Sequence, residues 1–400
     1  MLSRETIFTI ITRTVVLITN FALVVISSRL WGDEGRGLIA LIIADVSIIV
    51  ILNNISSGGT LAFHTPKLDR NKIFSFAFTG TVITTLTGAI IFSFIQGFDY
   101  FYFFFIALAI SFATMISNYW LGKKNIKLYN LFTLLPPVLI LIFLIILYYL
   151  VHITTVYAFF YSYFLSYGTV WLTGLVSVFK SSGFHFVPDF ITGKRMTNYG
   201  FKSELSYFIQ FLNYRLSYYF ITAWLGLALL GIFSIAIAIT EAVWVISKSI
   251  SAIHYSNIIN TADAIHRIKL TEKAALNSLV ISLLAMVVLF FIPESLFTFI
   301  FGEKFAGVKE LTIYMFPGII AIAVSNIYGH YFSGIGKMRI LIIKSSVGLA
   351  VTAVFLFLLL KKYGLTGACI TLDIAYITSS LYLFIMFLKE KRVVKVKYQT

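Results

Sequence analysis

The sequence is short of the residues from which soluble folds and soluble-enzyme sites are made. Among 400 residues there is one cysteine, Cys369, which excludes an internal disulfide framework and any cysteine-rich metal cluster. The six histidines, His64, His152, His185, His254, His266 and His330, are scattered. No two have the HxxxH or HExxH spacing of a zinc site, so no metal site is expected. Charged residues make up only 12% of the chain, about half the share of a soluble globular protein. What replaces them is apolar: 59% of the residues are hydrophobic and the mean hydropathy is +0.94. A soluble chain of this size could not bury that much apolar surface. The bilayer is therefore the solvent for most of it. The net charge of +15 lies in short clusters between apolar runs, which reads as membrane topology rather than nucleic-acid binding.

A bilayer span takes roughly 17–25 mostly apolar residues. Twelve such runs stand out, at 6–28, 37–62, 73–95, 100–121, 128–150, 154–178, 203–224, 231–258, 275–299, 311–332, 340–360 and 365–388. The first is too long for the h-region of a signal peptide, carries Arg13 and is followed by further spans, so it reads as a permanent helix. With the N-terminus placed inside, the outer loops hold only Arg29, Arg36, Lys304, Lys309, Lys361 and Lys362. Arg13, Arg215 and Lys248 fall within spans, and every other lysine and arginine falls on the inner side. A missed or invented span would scramble this alternation, so the pattern supports twelve spans with both termini cytoplasmic. The expected class is an all-α polytopic membrane protein in two lobes, 1–178 and 203–400, joined by a cytoplasmic linker at 179–202 that holds Gly183, Pro188, Gly193 and Gly200.

A faint internal symmetry accompanies the two lobes. Gly32 and Gly37 precede span two, Gly226 and Gly231 precede span eight, and each pair is followed by an acid, Asp45 or Glu241, at slightly different spacing. Six plus six spans of like orientation suit a parallel repeat, a common transporter plan.

Six ionisable residues lie where lipid should be: Arg13, Asp45, Arg215, Glu241, Lys248 and Asp373. A mid-membrane charge costs roughly 2.5–3.5 kcal/mol on insertion scales and survives only against a partner, water or substrate. Arg215 sits near mid-depth of span seven, where its side chain cannot easily snorkel. One reading of Arg13 and Arg215 is a cationic cavity that neutralises an anionic head group, a task suited to a guanidinium. The other is an interhelical ion pair, Arg13 with Asp45 or Arg215 with Glu241. Lys248 lies two helical turns beyond Glu241 on the same face and either lines the cavity or anchors the helix. Asp45, Glu241 and Asp373 either couple transport to H⁺ or Na⁺ or serve as counter-ions. Tyr207, Phe211, Tyr214 and Tyr218 form one helical stripe, which either meets substrate or only packs. Pro136 and Pro137 in span five and Pro317 in span ten are expected to kink their helices. Pro293 with Glu294 reads as a helix-end signal.

Several local motifs carry a family resemblance. Leu30-Trp31-Gly32-Asp33-Glu34-Gly35-Arg36-Gly37 resembles the glycine-rich turn after the first helix of the polysaccharide flippases, the O-antigen and capsule repeat-unit exporters of the multidrug/oligosaccharidyl-lipid/polysaccharide superfamily. Asn213-Tyr214-Arg215, then Leu225-Gly226, Gly231-Ile232-Phe233 and Glu241, resemble that family's seventh and eighth helices. Phe301-Gly302-Glu303-Lys304-Phe305, Gly334-Ile335-Gly336-Lys337 and Tyr363-Gly364-Leu365-Thr366-Gly367-Ala368 are similar to its later turns. Ser217 departs from the pattern, because members often carry an acid there.

The resemblance implies two six-helix bundles working by alternating access. It also implies a substrate: an oligosaccharide on undecaprenyl diphosphate, moved from the cytoplasmic to the outer leaflet of the bacterial inner membrane. The pyrophosphate would meet Arg13, Arg215 and Lys248, and Tyr214 and Tyr218 would line the path. Membrane lipids, a glycan polymerase and other assembly proteins are the partners this context implies. The main alternative is an ion-coupled small-molecule, multidrug antiporter of the same superfamily. A membrane-embedded glycan polymerase or glycosyltransferase is disfavoured, because the outer loops are short and no nucleophile–base pair is apparent. No catalytic residue and no cofactor other than a coupling ion is assigned.

Overall fold

A computed structural model of the chain describes residues 4–96, 100–180 and 183–397. It bears out the all-α polytopic class, with only helices and connecting turns among the described residues. In chain order the helices are α1 (Arg4–Asn53), α2 (Gly58–His64), α3 (Arg70–Gln96), α4 (Tyr100–Gly122), α5 (Ile126–Ile145), α6 (Tyr157–Phe179), α7 (Phe190–Leu225), α8 (Leu227–Asn260), α9 (Ala264–Phe291), α10 (Glu294–Phe301), α11 (Val308–Tyr314), α12 (Phe316–Gly334) and α13 (Met338–Lys397). Helices α1 and α13 are each two spans joined at a glycine in a mirror-image extended conformation: Gly32 at φ 64°, ψ −161° and Gly364 at φ 56°, ψ −139°. With those breaks counted, the described residues accommodate the twelve expected spans.

The chain forms two compact units, one of Met1–Trp31 and Leu41–Phe208, the other of Gly32–Ala40 and Ile209–Thr400. In the first unit, Asn53 at the end of α1 donates through Nδ2 to Thr85 Oγ1 and Ser111 Oγ, both at 2.8 Å. This ties α1, α3 and α4 by buried polar bonds of the kind that hold helices together where lipid offers no hydrophobic drive. Span two does not run unbroken to residue 62. It stops at Asn53, whose carbonyl takes up the amides and hydroxyls of Ser56 and Ser57, and Gly58 at φ 49° restarts the chain as α2.

In the second unit α8 is central: 67% of its most apolar stretch is buried, against 22% for α9. Along the apolar part of α9, Leu276, Leu284, Val288 and Phe291 are exposed, as a lipid-facing helix requires. Ser247 on α8 and Ser278 on α9 both donate to the carbonyl of Ala323 on α12, at 2.6 and 3.0 Å.

Two further expectations need correction. Span nine ends at Phe291 instead of near 299, because Pro293 stops it and serves as the N-cap of the short α10. Pro317 does not kink a continuous span ten. The run bends by 56° at Met315, and Pro317 lies in the first turn of α12, where its missing N–H is not needed. By contrast, α5 continues through Pro136 and Pro137, with Ser166 of α6 donating to Pro136 O at 2.8 Å.

The faint glycine symmetry proves to be a contact. Gly226 adopts φ 91°, ψ 173°, the same region as Gly32. A Cβ on Gly37 would lie 1.9 Å from the Leu227 carbonyl oxygen, and one on Gly231 would lie 2.0 Å from that of Asp33. The two backbones thus cross reciprocally within the second unit at a separation only glycine permits. Lys304 Nζ, 3.3 Å from Asp33, covers the same turn.

Helix α7 starts well before the apolar run of span seven because Asp189 caps it. Its carboxylate accepts from Ile191 N at 3.1 Å, Thr192 Oγ1 at 2.9 Å and Lys72 Nζ at 3.0 Å. The Lys72 bond, then that of Thr192, holds the Asp189 pKa down at about 2.

Both the crossing and the cap can be tested. Gly37→Ala and Gly231→Ala should each lower stability by about 3 kcal/mol through overpacking, read as thermal unfolding in detergent. Gly168→Ala, whose Cβ meets nothing within 4 Å, should be neutral or stabilise by up to about 1 kcal/mol. Equal melting of all three would remove the crossing from the fold's requirements. For Asp189 the folded pKa is depressed, so its capping contribution is present above the ordinary carboxylate value and is lost as pH falls from about 4 through about 2. Carbon-detected NMR titration should place its midpoint near 2 in the wild type and closer to the ordinary value in Lys72→Gln.

Candidate functional site

Tyr214, Arg215 and Tyr218, which sequence pattern singled out on span seven, come together in the second unit. Arg215 of α7 and Glu241 of α8 form a two-point ion pair: Nη1 lies 2.8 Å from Oε1, and Nη2 donates to Oε2 at 3.2 Å. Their side chains keep 22% and 34% of their surface open, so the pair is neither sealed in the core nor free in solvent. The guanidinium carbon stands 5.0 Å from the centroid of the Tyr218 ring. Tyr218, itself buried, packs edge-on against Phe233 of α8 at 6.1 Å. Tyr214 lies edge-on to Tyr376 of α13 at 5.9 Å and receives a 2.7 Å hydrogen bond from Gln210. Asn213 accepts from Thr352 of α13 at 2.8 Å, and a Cβ on Gly348 would meet Asn213 Nδ2 at 2.7 Å. Helix α13 is therefore seated closely against α7, which fixes the arginine's position.

The arrangement joins a delocalised cation, its counter-ion and a set of tyrosine faces and hydroxyls. A guanidinium flanked by a ring remains a good anion ligand, while the carboxylate offers a site for a cation or proton. Such a pair can bind either sign of charge by exchanging its internal partner for an external one.

The other predicted residues are placed differently. Asp373 of α13 is a helix cap: its Oδ1 accepts from Gly318 N at 2.8 Å, which supplies the first turn of α12 with an acceptor and a favourable charge at its N-terminus. Asp45 is fully buried in the first unit. Arg13 is exposed on α1, and among the described residues it makes no ion pair, so the Arg13–Asp45 pairing is not formed. Lys248 is exposed on α8. Tyr207, at the start of the aromatic stripe, is 61% exposed, whereas Tyr218 is 5% exposed, so the stripe is not one uniform lining. Ser217, in place of the acid the resemblance would supply, is fully buried.

Sequence reading missed Tyr376, whose one available signal was its position a single turn after Asp373. It also missed Thr352, and it quoted Asn213 and Phe233 only as motif residues, because their roles come from neighbouring helices. Arg36, in the segment belonging to the second unit, acts electrostatically on Tyr218 and adds positive potential there.

The pair makes a thermodynamic prediction. Arg215→Gln or Glu241→Gln alone leaves a partly desolvated charge without its partner, while the double substitution removes both. A double-mutant cycle on thermal stability should return a coupling of about 1–3 kcal/mol. Additive losses would show that the two side chains do not act as a pair.

No family model and no curated protein matches this sequence. Solved structures do share its fold. One is described as the inward-facing conformation of a multidrug resistance MATE family transporter of the MOP superfamily; it aligns at TM-score 0.76 and 16% identity, covering 97% of this chain and 99% of that one. A second, a MATE multidrug transporter in complex with rhodamine 6G, aligns at TM-score 0.68 and 15% identity, over 96% and 94% of the two chains. A third, a MOP superfamily transporter from Pyrococcus furiosus whose binding pocket is described as of reverse polarity, aligns at 0.62 and 16%, over 97% and 95%. The chain has the fold of these transporters, with its two six-helix bundles.

Proposed function

We propose that this chain is an alternating-access transporter of amphiphilic solutes, and that the Arg215–Glu241 pair is the point at which solute charge is read. The observation that carries this reading is a two-point ion pair left partly open, at mid-span, against tyrosine rings. A purely structural pair would gain nothing from that opening. Lobes 1–178 and 203–400, with 179–202 between them, would be the moving parts, and both termini would be cytoplasmic in a bacterial inner membrane.

The solved neighbours weigh toward the small-molecule antiporter. Two of them are described as multidrug transporters, one of these holding rhodamine 6G. In that reading a cationic solute displaces Arg215 from Glu241, and H⁺ or Na⁺ coupling would fall to Glu241 and to the buried Asp45.

One feature favours the second reading, export of an undecaprenyl-diphosphate-linked oligosaccharide. Arg13 is an exposed guanidinium without an ion-pair partner among the described residues, while Arg36 adds positive charge beside Tyr218. A cavity for cations should be net acidic, and a pyrophosphate needs the opposite. The description of a reverse-polarity pocket on this same fold supports charge as the variable part of the design. Arg13, Arg215 and Lys248 would then hold the pyrophosphate, and Tyr214 and Tyr218 would line the path. A glycan polymerase and other assembly proteins would be its partners.

Purified protein in lipid nanodiscs should be titrated with rhodamine 6G and with a polyprenyl-diphosphate oligosaccharide. Preference for the dye establishes the antiporter reading, and preference for the pyrophosphate the flippase reading. In either case Arg215→Ala should abolish transport in proteoliposomes while inserting normally. Full transport by that variant would refute the assignment of the pair.

A further inference from the structure

A second cluster of cations, in the first unit, takes no part in the site just described. Where α2 ends and α7 begins there is a cavity of about 520 Å³. Its charged walls are basic: Lys67, Arg195 and Lys202, with no carboxylate among the described lining residues. Like charges gathered around one hollow repel each other, and an anion seated among them reverses the sign of that energy.

The frame of the cavity is fixed. A Cβ on Gly200 would lie 2.0 Å from the Ile55 carbonyl oxygen, so the first turns of α7 are pressed against the corner between α1 and α2. Phe63 of α2 and Tyr199 of α7 stack in parallel, with centroids 4.1 Å apart and planes 9° apart. His64 stands edge-on to Tyr199 at 5.5 Å, and its Nδ1 is bonded to Thr60 O at 2.9 Å, which makes the imidazole a rigid wall. Lys67 Nζ is held 3.2 Å above the centroid of Phe63. The result is an aromatic shelf, continued by Leu68, with Lys67 seated over Phe63; Arg195, Asn198 and Lys202, all exposed, complete the lining.

We propose that this cavity binds a phosphate-bearing anion, with the phosphate between Lys67, Arg195 and Lys202 and the organic part resting on the Phe63–Tyr199 shelf. Arginine takes phosphate oxygens in pairs and lysine contributes point charge. The phosphate comes either from the head group of an anionic membrane lipid or from a soluble phosphorylated molecule. Basic hollows on the inner face meet the first, and the alternation of lysine and arginine puts these residues on that face. The inference is independent of which solute is transported.

The test uses the full-length protein and two probes. In one arm, protein taken from phosphatidylcholine vesicles containing phosphatidylglycerol is examined by native mass spectrometry for retained phosphatidylglycerol. In the other, protein in phosphatidylcholine nanodiscs is titrated calorimetrically with inorganic pyrophosphate. Retention of phosphatidylglycerol identifies a lipid head group, and pyrophosphate binding identifies a soluble phosphate. In whichever arm binds, K67Q/R195Q/K202Q should lose at least about tenfold in affinity, and Phe63→Ala should weaken the lipid arm more than the pyrophosphate arm. K361Q/K362Q, which removes an exposed lysine pair elsewhere, should retain wild-type binding. The proposal is overturned if neither probe binds, if the triple variant binds like the wild type, or if the Lys361/Lys362 variant loses as much.

Discussion

Hydrocarbon does not solvate charge or backbone, and most of this structure answers that constraint. Each polar group placed in a span must find its partner inside the protein, since leaving one without a partner costs several kcal/mol. Arg215 finds Glu241. Asp373 finds the amide that the break before α12 leaves open. Asn53 finds Thr85 and Ser111, and Ser247 and Ser278 share the Ala323 carbonyl. In each case the partner comes from another helix, so the bonds that satisfy the polar groups also set which helices are neighbours.

Backbone closeness is the second element. In a bilayer, helices gain little from burying leucine against leucine, and contact improves mainly when small residues let backbones approach. Gly37 and Gly231 do this reciprocally across from Leu227 and Asp33, and Gly200 does it for the start of α7 against Ile55, while Gly348 of α13 makes room for the Asn213 side chain. The same residue type thus serves two purposes here. At Gly32 and Gly226 it permits a backbone turn closed to other residues, and at Gly37 and Gly231 it permits a crossing.

The candidate transport site and the basic cavity use arginine differently. Arg215 is neutralised within the protein by Glu241, so in the proposed reading a solute would compete with Glu241 and binding would be an exchange. Arg195 shares its cavity with two lysines and, among the described lining residues, no acid, so an anion there would simply be added. Exchange suits a group that must bind and release in turn, whereas addition suits stable occupancy.

Composition and spacing were sufficient for the membrane class, the approximate order of the spans and the presence of charges within them, because hydropathy is a local, one-dimensional quantity, whereas the spans read there ran on through the breaks at Asn53, Pro293 and Met315. The Arg215–Glu241 pairing was open in the sequence as one of two readings, and the paired glycines were read there only as a faint internal symmetry. Neither could be decided there, since a helix wheel gives a residue's face but not the helix that meets it. Asp373 as a cap, Tyr376 as the neighbour of Tyr214 and Pro317 as the opening of a helix depended on tertiary contacts. So did the gathering of Lys67, Arg195 and Lys202, which in the sequence served only to mark the inner side. Those roles rest on distances between residues far apart in the chain, which only the packed helices set.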